Sequence, residues 1–146
     1  MTRTEFEALR DLPEKRILQE IRFAKRAALR PALEADNITI ENANGIDLRM
    51  NLHFNPETGS KTVNVYVPGT GPICRLDVDG TKHGDAGRSH KHALVTERCP
   101  DRNLPDEVKP RGDLSGESMR VVFDEFCRIG TIRFDGEFGN PEEVGP

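Results

Sequence analysis

At 146 residues the chain has the length of one domain with a single core. Charged residues make up 32% and hydrophobic ones 35%, tryptophan is absent and the formal net charge is -4, a balance that excludes a protein wholly devoted to coating nucleic acid but allows a local basic face. No apolar run approaches the ~20 residues of a membrane span, and the opening MTRTEFEALR lacks the apolar centre of a secretion signal, so no membrane partner and a cytoplasmic location are expected.

Thr2 or Thr4 can cap a short helical turn that ends at Arg10. Asp11, Leu12 and Pro13 then read as a helix start with proline at the first helical position. Ile17, Leu18, Ile21, Ala24, Ala28 and Leu29 recur at three- and four-residue spacing, which predicts an amphipathic helix as far as Pro31, with residues 32–35 as a last turn. Its opposite face carries Lys15, Arg16, Arg22, Lys25, Arg26 and Arg30 against only Glu14 and Glu20. Such a run is commonly a solvated helix face. Its functional reading is a surface that tracks a phosphate backbone, with Lys15, Arg16, Arg22, Lys25 and Arg26 as the nucleic-acid-binding set.

From Asn37 the period changes to two. Ile38 and Ile40 open a short strand, and Asn44-Gly45 is the strongest hairpin signal, because both central positions of a type I′ turn need positive φ. Residues 46–55 alternate, with Ile46, Leu48, Met50, Leu52 and Phe54 inward and Asp47, Arg49, Asn51 and His53 outward. A turn at residues 56–59 leads to a strand over residues 61–67, and a further turn at residues 69–72 leads to Cys74, Leu76 and Val78 alternating with Arg75, Asp77 and Asp79. The short connections imply an antiparallel meander. After it, residues 99–112 hold Pro100, Pro105 and Pro110 among charges and read as a long surface loop. Ser115 can cap a helix whose stripe is Met119, Val122, Phe123 and Phe126, closed by Gly130. A last strand spans residues 131–138, and residues 139–146 are expected to be a disordered tail. These elements predict one α+β domain over residues 1–138: N-terminal helices, an antiparallel meander, and a C-terminal helix packed on the sheet before a final strand.

The chemistry concentrates between residues 75 and 97, where three of the four histidines lie. His83 sits in a glycine-containing loop with Asp85 and Arg88, and His90 and His92, two apart on a strand, share a face with Lys91 opposite. The order His83, His90, His92, Cys99 could supply four zinc ligands, but it matches no compact ligand spacing, and no metal or cofactor is expected. Gly80, Gly84 and Gly87 fit neither phosphate-loop fingerprint, and nothing sets Cys74 or Cys99 beside a base. An odd count of three cysteines fits reduced thiols. Metal-independent RNA cleavage needs a base for the ribose 2′-hydroxyl, an acid for the leaving oxygen and a cation for the phosphorane charge. His83, His90, His92, Arg75 and Arg88 supply that inventory as candidate catalytic residues.

The order R-L-D-V-D-G, a histidine loop, then S-H-K-H-A-L-V-T-E resembles a pattern in small proteins of phages, prophages and mobile islands, in which an R-L-x-I-x-G strand leads through a histidine loop to a T-H-x-H strand. Some of these are toxin-like members of toxin–antitoxin pairs. The match covers roughly residues 73–97 and extends to the closing helix and strand. Helices followed by an antiparallel meander are also similar to the architecture of small RNase toxins, although such toxins are usually basic and this chain is acidic. The resemblance implies a toxin-like endoribonuclease acting on RNA. The competing reading is a non-enzymatic phage or mobile-element interaction protein, binding an antitoxin or a host defence component through its acidic surface and the proline-rich loop. A homodimer is left open.

Overall fold

The computed structural model describes residues 3–26, 30–80, 90–92, 109–110 and 112–143. The fold is α+β. A short helix α1 (Arg3–Arg10) precedes β1 (Lys15–Ile17), β2 (Ala24–Lys25), β3 (Leu33–Ile40), β4 (Leu48–Phe54), β5 (Lys61–Val67), β6 (Gly71–Val78), β7 (His90–His92) and β8 (Lys109–Pro110). The helix α2 (Met119–Gly130) and β9 (Ile132–Phe134) follow. Among the described residues β2 to β8 form one sheet in chain order with every neighbour antiparallel, and β1 pairs in parallel with β9.

Alternation builds the centre of this sheet. Leu48, Met50, Leu52 and Phe54 of β4 and Val63 and Val65 of β5 bury on one face, while Arg49, Asn51, His53, Thr62 and Asn64 project from the other. α2 closes the apolar face with Met119, Val122, Phe123, Phe126 and Cys127. Phe123 meets Phe134 edge-on at 5.0 Å between ring centroids, and Phe23 meets Phe138 likewise at 5.8 Å. Asn55 turns β4 into β5 by accepting the Glu57 N–H at 2.9 Å, and Gly59 supplies the positive φ of 79° that the turn needs.

Several expectations are corrected. Residues 13–26 are not a helix: Lys15, Ile17, Ile21 and Phe23 bury while Arg16, Leu18, Arg22 and Ala24 face outward, a two-residue period broken by a bend. The stretch stays extended because its backbone bonds to other segments. Arg16 and Glu41 exchange N–H···O bonds of 2.8 Å in both directions, Asp135 N–H donates to Ile17 O at 2.9 Å, and Ile21 N–H donates to Glu137 O at 2.8 Å. Residues 33–35 are strand, not a last helical turn. A bulge between Ala35 and Ile38, with Asn37 at φ 57°, resets the parity so that Leu33 and Ala35 before it and Ile38 and Ile40 after it all reach the core.

The β3–β4 connection is a loop rather than a two-residue type I′ turn. Gly45 alone of the Asn44-Gly45 pair has positive φ, and the Asn42 side chain holds the loop, its Oδ1 accepting the N–H groups of Asn44 and Ile46. Ile46 is consequently exposed. Ser118, not Ser115, caps α2, its hydroxyl accepting the Val121 N–H at 3.2 Å, and Thr131 rather than Gly130 takes the left-handed conformation at the far end. Residues 139–143, expected to belong to a loose tail, are packed. Gly139 N–H donates to Ile21 O, Pro141 is buried, and the Glu142 carboxylate accepts the Met119 N–H at 2.6 Å, satisfying a donor in the first turn of α2. No helix among the described residues is long and apolar enough to cross a membrane.

Candidate functional site

The sheet face turned away from α2 is polar, and its register organises the chemistry. Across one rung lie Glu34 of β3, His53 of β4, Thr62 of β5, Asp77 of β6 and His90 of β7. Across the next lie Asn51, Asn64, Arg75 and His92. Lys91 is in register with Leu76, which faces the core. The antiparallel pairing of β6 with β7 thus sets His90 opposite Asp77 and His92 opposite Arg75, and directly opposed residues are close neighbours on a sheet.

Asp77 is the buried anchor of this group. Its Oδ1 accepts the Thr62 hydroxyl at 2.8 Å and Arg75 Nε at 3.0 Å, and its side chain is only 10% exposed. The carboxylate fixes Arg75 through Nε, the inner end of the guanidinium, while the Arg75 side chain stays 52% exposed. A cation oriented in this way at an open surface can receive an anionic oxygen. The bulge at β3 braces the same face: Asn37 N–H donates to Asn51 Oδ1 at 2.9 Å, and Tyr66 hydroxyl donates to Asn37 Oδ1 at 2.6 Å.

Of the five candidate catalytic residues, the sheet sets His92 in register with Arg75 and His90 on the neighbouring rung, opposite Asp77. His83 and Arg88 lie outside the described residues, as do Cys99 and most of the proline-rich segment. His53 is the residue that sequence reasoning passed over as a site member. Its signal was available, since the alternation of β4 already turned it to the same side as Asn51 and only the register across β5 was missing. Cys74 lies on the core side of β6, away from the histidine rungs, and Cys127 is buried in α2, where desolvation pushes its thiol up to about 12. Neither is suited to act as a nucleophile. Among the described residues no three His, Cys, Asp or Glu side chains are grouped to hold a metal ion.

The proposed nucleic-acid-binding set does not form one face, because the helix that would align it is absent. Lys15 is buried, its Nζ donates to Arg10 O, and desolvation pushes its ammonium below the usual lysine range. Arg16 faces Glu41 at 3.9 Å and Arg22 pairs with Glu20 at 3.1 Å. Arg26 bridges Glu34, at 3.3 Å, and Asp36. Lys25 is exposed on the short strand β2. A cleft of about 760 Å³ runs between β1, the end of β3 and the residue 42–47 loop, where Arg16 and Arg133 face Glu14, Glu41 and Asp47. That matching of charges gives it no net preference for anions, and it lies off the histidine rungs. No family model matches the chain, and no curated protein and no solved structure matches it.

Proposed function

We propose that the polar face of the sheet cleaves RNA without a metal, with His90 and His92 as the acid–base pair and Arg75 as the charge-stabilising group, in the manner of a toxin-like endoribonuclease. The observation that carries the reading is the register of β6 with β7, which gives the two histidines opposite electrostatic neighbours. In this assignment His90, across from Asp77, protonates the 5′-oxygen leaving group, and His92, across from Arg75, takes the proton of the 2′-hydroxyl. The 2′-oxygen then attacks phosphorus, the bond to the 5′-oxygen breaks, and the product ends in a 2′,3′-cyclic phosphate. Arg75 meets the charge that builds on the phosphorane oxygens, and Asp77 serves as a positioning residue through Arg75 Nε.

The test is RNA incubated with wild type and with His90→Ala, His92→Ala and Arg75→Ala, in the presence of a chelator. Each histidine variant is expected to lose roughly 10²-fold or more in rate, the scale of general acid–base catalysis. Unfolding midpoints of the two histidine variants should stay within ~0.5 kcal/mol of wild type, as for surface substitutions, whereas Arg75→Ala should cost more because it removes a charged partner of the buried Asp77 carboxylate. Equal degradation by wild type and all variants removes the enzymatic reading and leaves the interaction protein as the better account.

A further inference from the structure

Tyr66 of β5 shares the side of Thr62 and Asn64 and is partly exposed on the polar face, whereas Phe54, the ring on β4, turns into the core. The Tyr66 hydroxyl donates to Asn37 Oδ1 at 2.6 Å. Asn37 sits on β3, on the far side of β4, and is itself fixed by the bond from its N–H to Asn51 Oδ1 at 2.9 Å. Two strand spacings, about 10 Å, therefore separate the backbones of the two residues, a gap that a ring standing upright on the sheet would not bridge. The ring instead leans along the sheet surface over β4. In that attitude a π-face can meet a flat ligand, and the hydroxyl bond holds it there before any ligand arrives.

We propose that Tyr66 is a stacking platform for an unpaired base, which makes single-stranded RNA the substrate class of the polar face; the proposal rests on the RNA reading of the neighbouring histidines. A base inside a duplex is covered on both faces by its neighbours, whereas a base in a single strand can be splayed out and laid on an aromatic side chain. Stacking does not read donors and acceptors, so the platform takes any of the four bases. The placement fits a strand running across the sheet. Tyr66 lies two residues along β5 from Asn64, Asn64 is directly across from Arg75, and Arg75 is directly across from His92. With the ring leaning away from Arg75, the stacked base lies about 10–15 Å from a phosphate held there, a step or two along an extended strand. Arg49, across from Tyr66, is bound by Asp47 through both Nε and Nη2, at 2.9 and 3.0 Å, so the phosphate-binding role stays with Arg75.

The chain holds one tyrosine and no tryptophan, so its tyrosine emission reports Tyr66 alone. The probe is a single-stranded 2′-O-methyl RNA oligomer, whose capped 2′-oxygens cannot attack phosphorus, titrated into the full chain at low salt. The same backbone without bases and a blunt duplex of the same sequence are the comparisons. The single strand is expected to quench the emission saturably, and the other two to leave it unchanged. Tyr66→Leu is expected to weaken binding of a labelled single strand at least tenfold by anisotropy, while Tyr66→Phe, which keeps the ring and loses the bond to Asn37, stays within about threefold of wild type. A Phe variant as weak as the Leu variant would assign the effect to the brace on Asn37 and overturn the platform. So would a bound single strand that leaves the emission unchanged, equal quenching by the base-free strand or the duplex, or no binding. The quenching arm needs no substitution, so the proposal stays testable if Tyr66→Leu fails to fold. Base-dependent quenching by a wild type that leaves unmodified RNA intact would remove the nuclease reading and keep the platform. Cleavage by a protein whose emission the strand does not change would do the opposite.

Discussion

The β4–β5 hairpin and the segment running from β1 to β2 bury side chains equally deeply but are held by different means. In the hairpin, six successive residue pairs face each other, and β3 and β6 continue the ladder on either side. From β1 to β2 the chain relies on the short parallel pairing of β1 with β9 and a few backbone bonds to Glu41 and to residues 135–139, together with Ile17, Ile21 and Phe23 plugged into the core. Leu52 and Ile21 are nonetheless 1% and 0% exposed. Depth in the core is set by which side chains a segment can deliver to the apolar face. Regular secondary structure is only one way of delivering them.

The largest expected effect tests that equality. Ile21→Ala and Leu52→Ala should each destabilise by about 2–5 kcal/mol, because both remove a fully enclosed aliphatic group and leave a cavity that the surroundings fill only in part. Denaturant midpoints with a common slope are the measurement. A loss of under ~1 kcal/mol for Ile21→Ala alone would show the β1–β2 segment to be an appendage that gives way, and the comparison would fail.

The same contrast explains what was readable in the sequence. The meander was open to reading because each strand carries its own period: Leu48, Met50, Leu52 and Phe54 needed no knowledge of their partners. Ile17, Leu18, Ile21, Ala24, Ala28 and Leu29 fit a helical template by spacing, yet Leu18 is 46% exposed and Phe23, outside that template, is buried. What decides the matter is pairing with Glu41 and with residues 132–138, more than twenty and more than a hundred positions away, which local periodicity cannot express. Asn37 hid β3 in a similar way, since the bulge there splits one strand into two opposite parities. At the site, the pairing of His90 with His92 on one face followed from their spacing. Their alignment with Asp77, Arg75 and His53 followed only from strand register.

An intermediate effect is expected where the C-terminal segment clamps the irregular one. A β-carbon at Gly136 would lie inside any allowed contact distance of the Gln19 carbonyl oxygen, 2.9 Å from Gln19 C and 3.0 Å from the Phe134 ring. Two of those three contacts are backbone, so relief requires the segments to separate. Gly136→Ala should cost roughly 1–3 kcal/mol, the scale of overpacking. Amide hydrogen exchange should then quicken at Ile21 and Gly139, whose N–H groups bridge the two segments, and should not change at Val63 or Leu52 in the hairpin. Uniform quickening would mean that the two regions open together, which sharpens the comparison in the other direction.

The smallest effect separates the two regions by the sign of a pH slope. Lys15, in the irregular segment, is buried between α1 and the sheet, and desolvation lowers its pKa, with Cys74 and Asp11 opposing the shift. Below the lowered value the folded and unfolded chains both hold the proton and the burial penalty is constant. Between it and the ordinary lysine value of about 10.4 the unfolded chain binds more protons, so stability rises with pH. Cys127, on the regular helix α2, is displaced the other way, to about 12, by desolvation and then by Asp124. From the ordinary thiol value upward the unfolded chain gives up a proton that the folded chain keeps, so stability falls as pH rises toward 12. Urea midpoints followed from neutral pH upward should therefore lose their rising component in Lys15→Met and their falling component in Cys127→Ala. Lys15→Met should also be at least as stable as wild type at neutral pH, since an apolar side chain of similar length removes a buried charge. If its slope instead matches that of wild type, the ammonium is hydrated in the folded state and the segment from β1 to β2 stands open to water where the hairpin is closed.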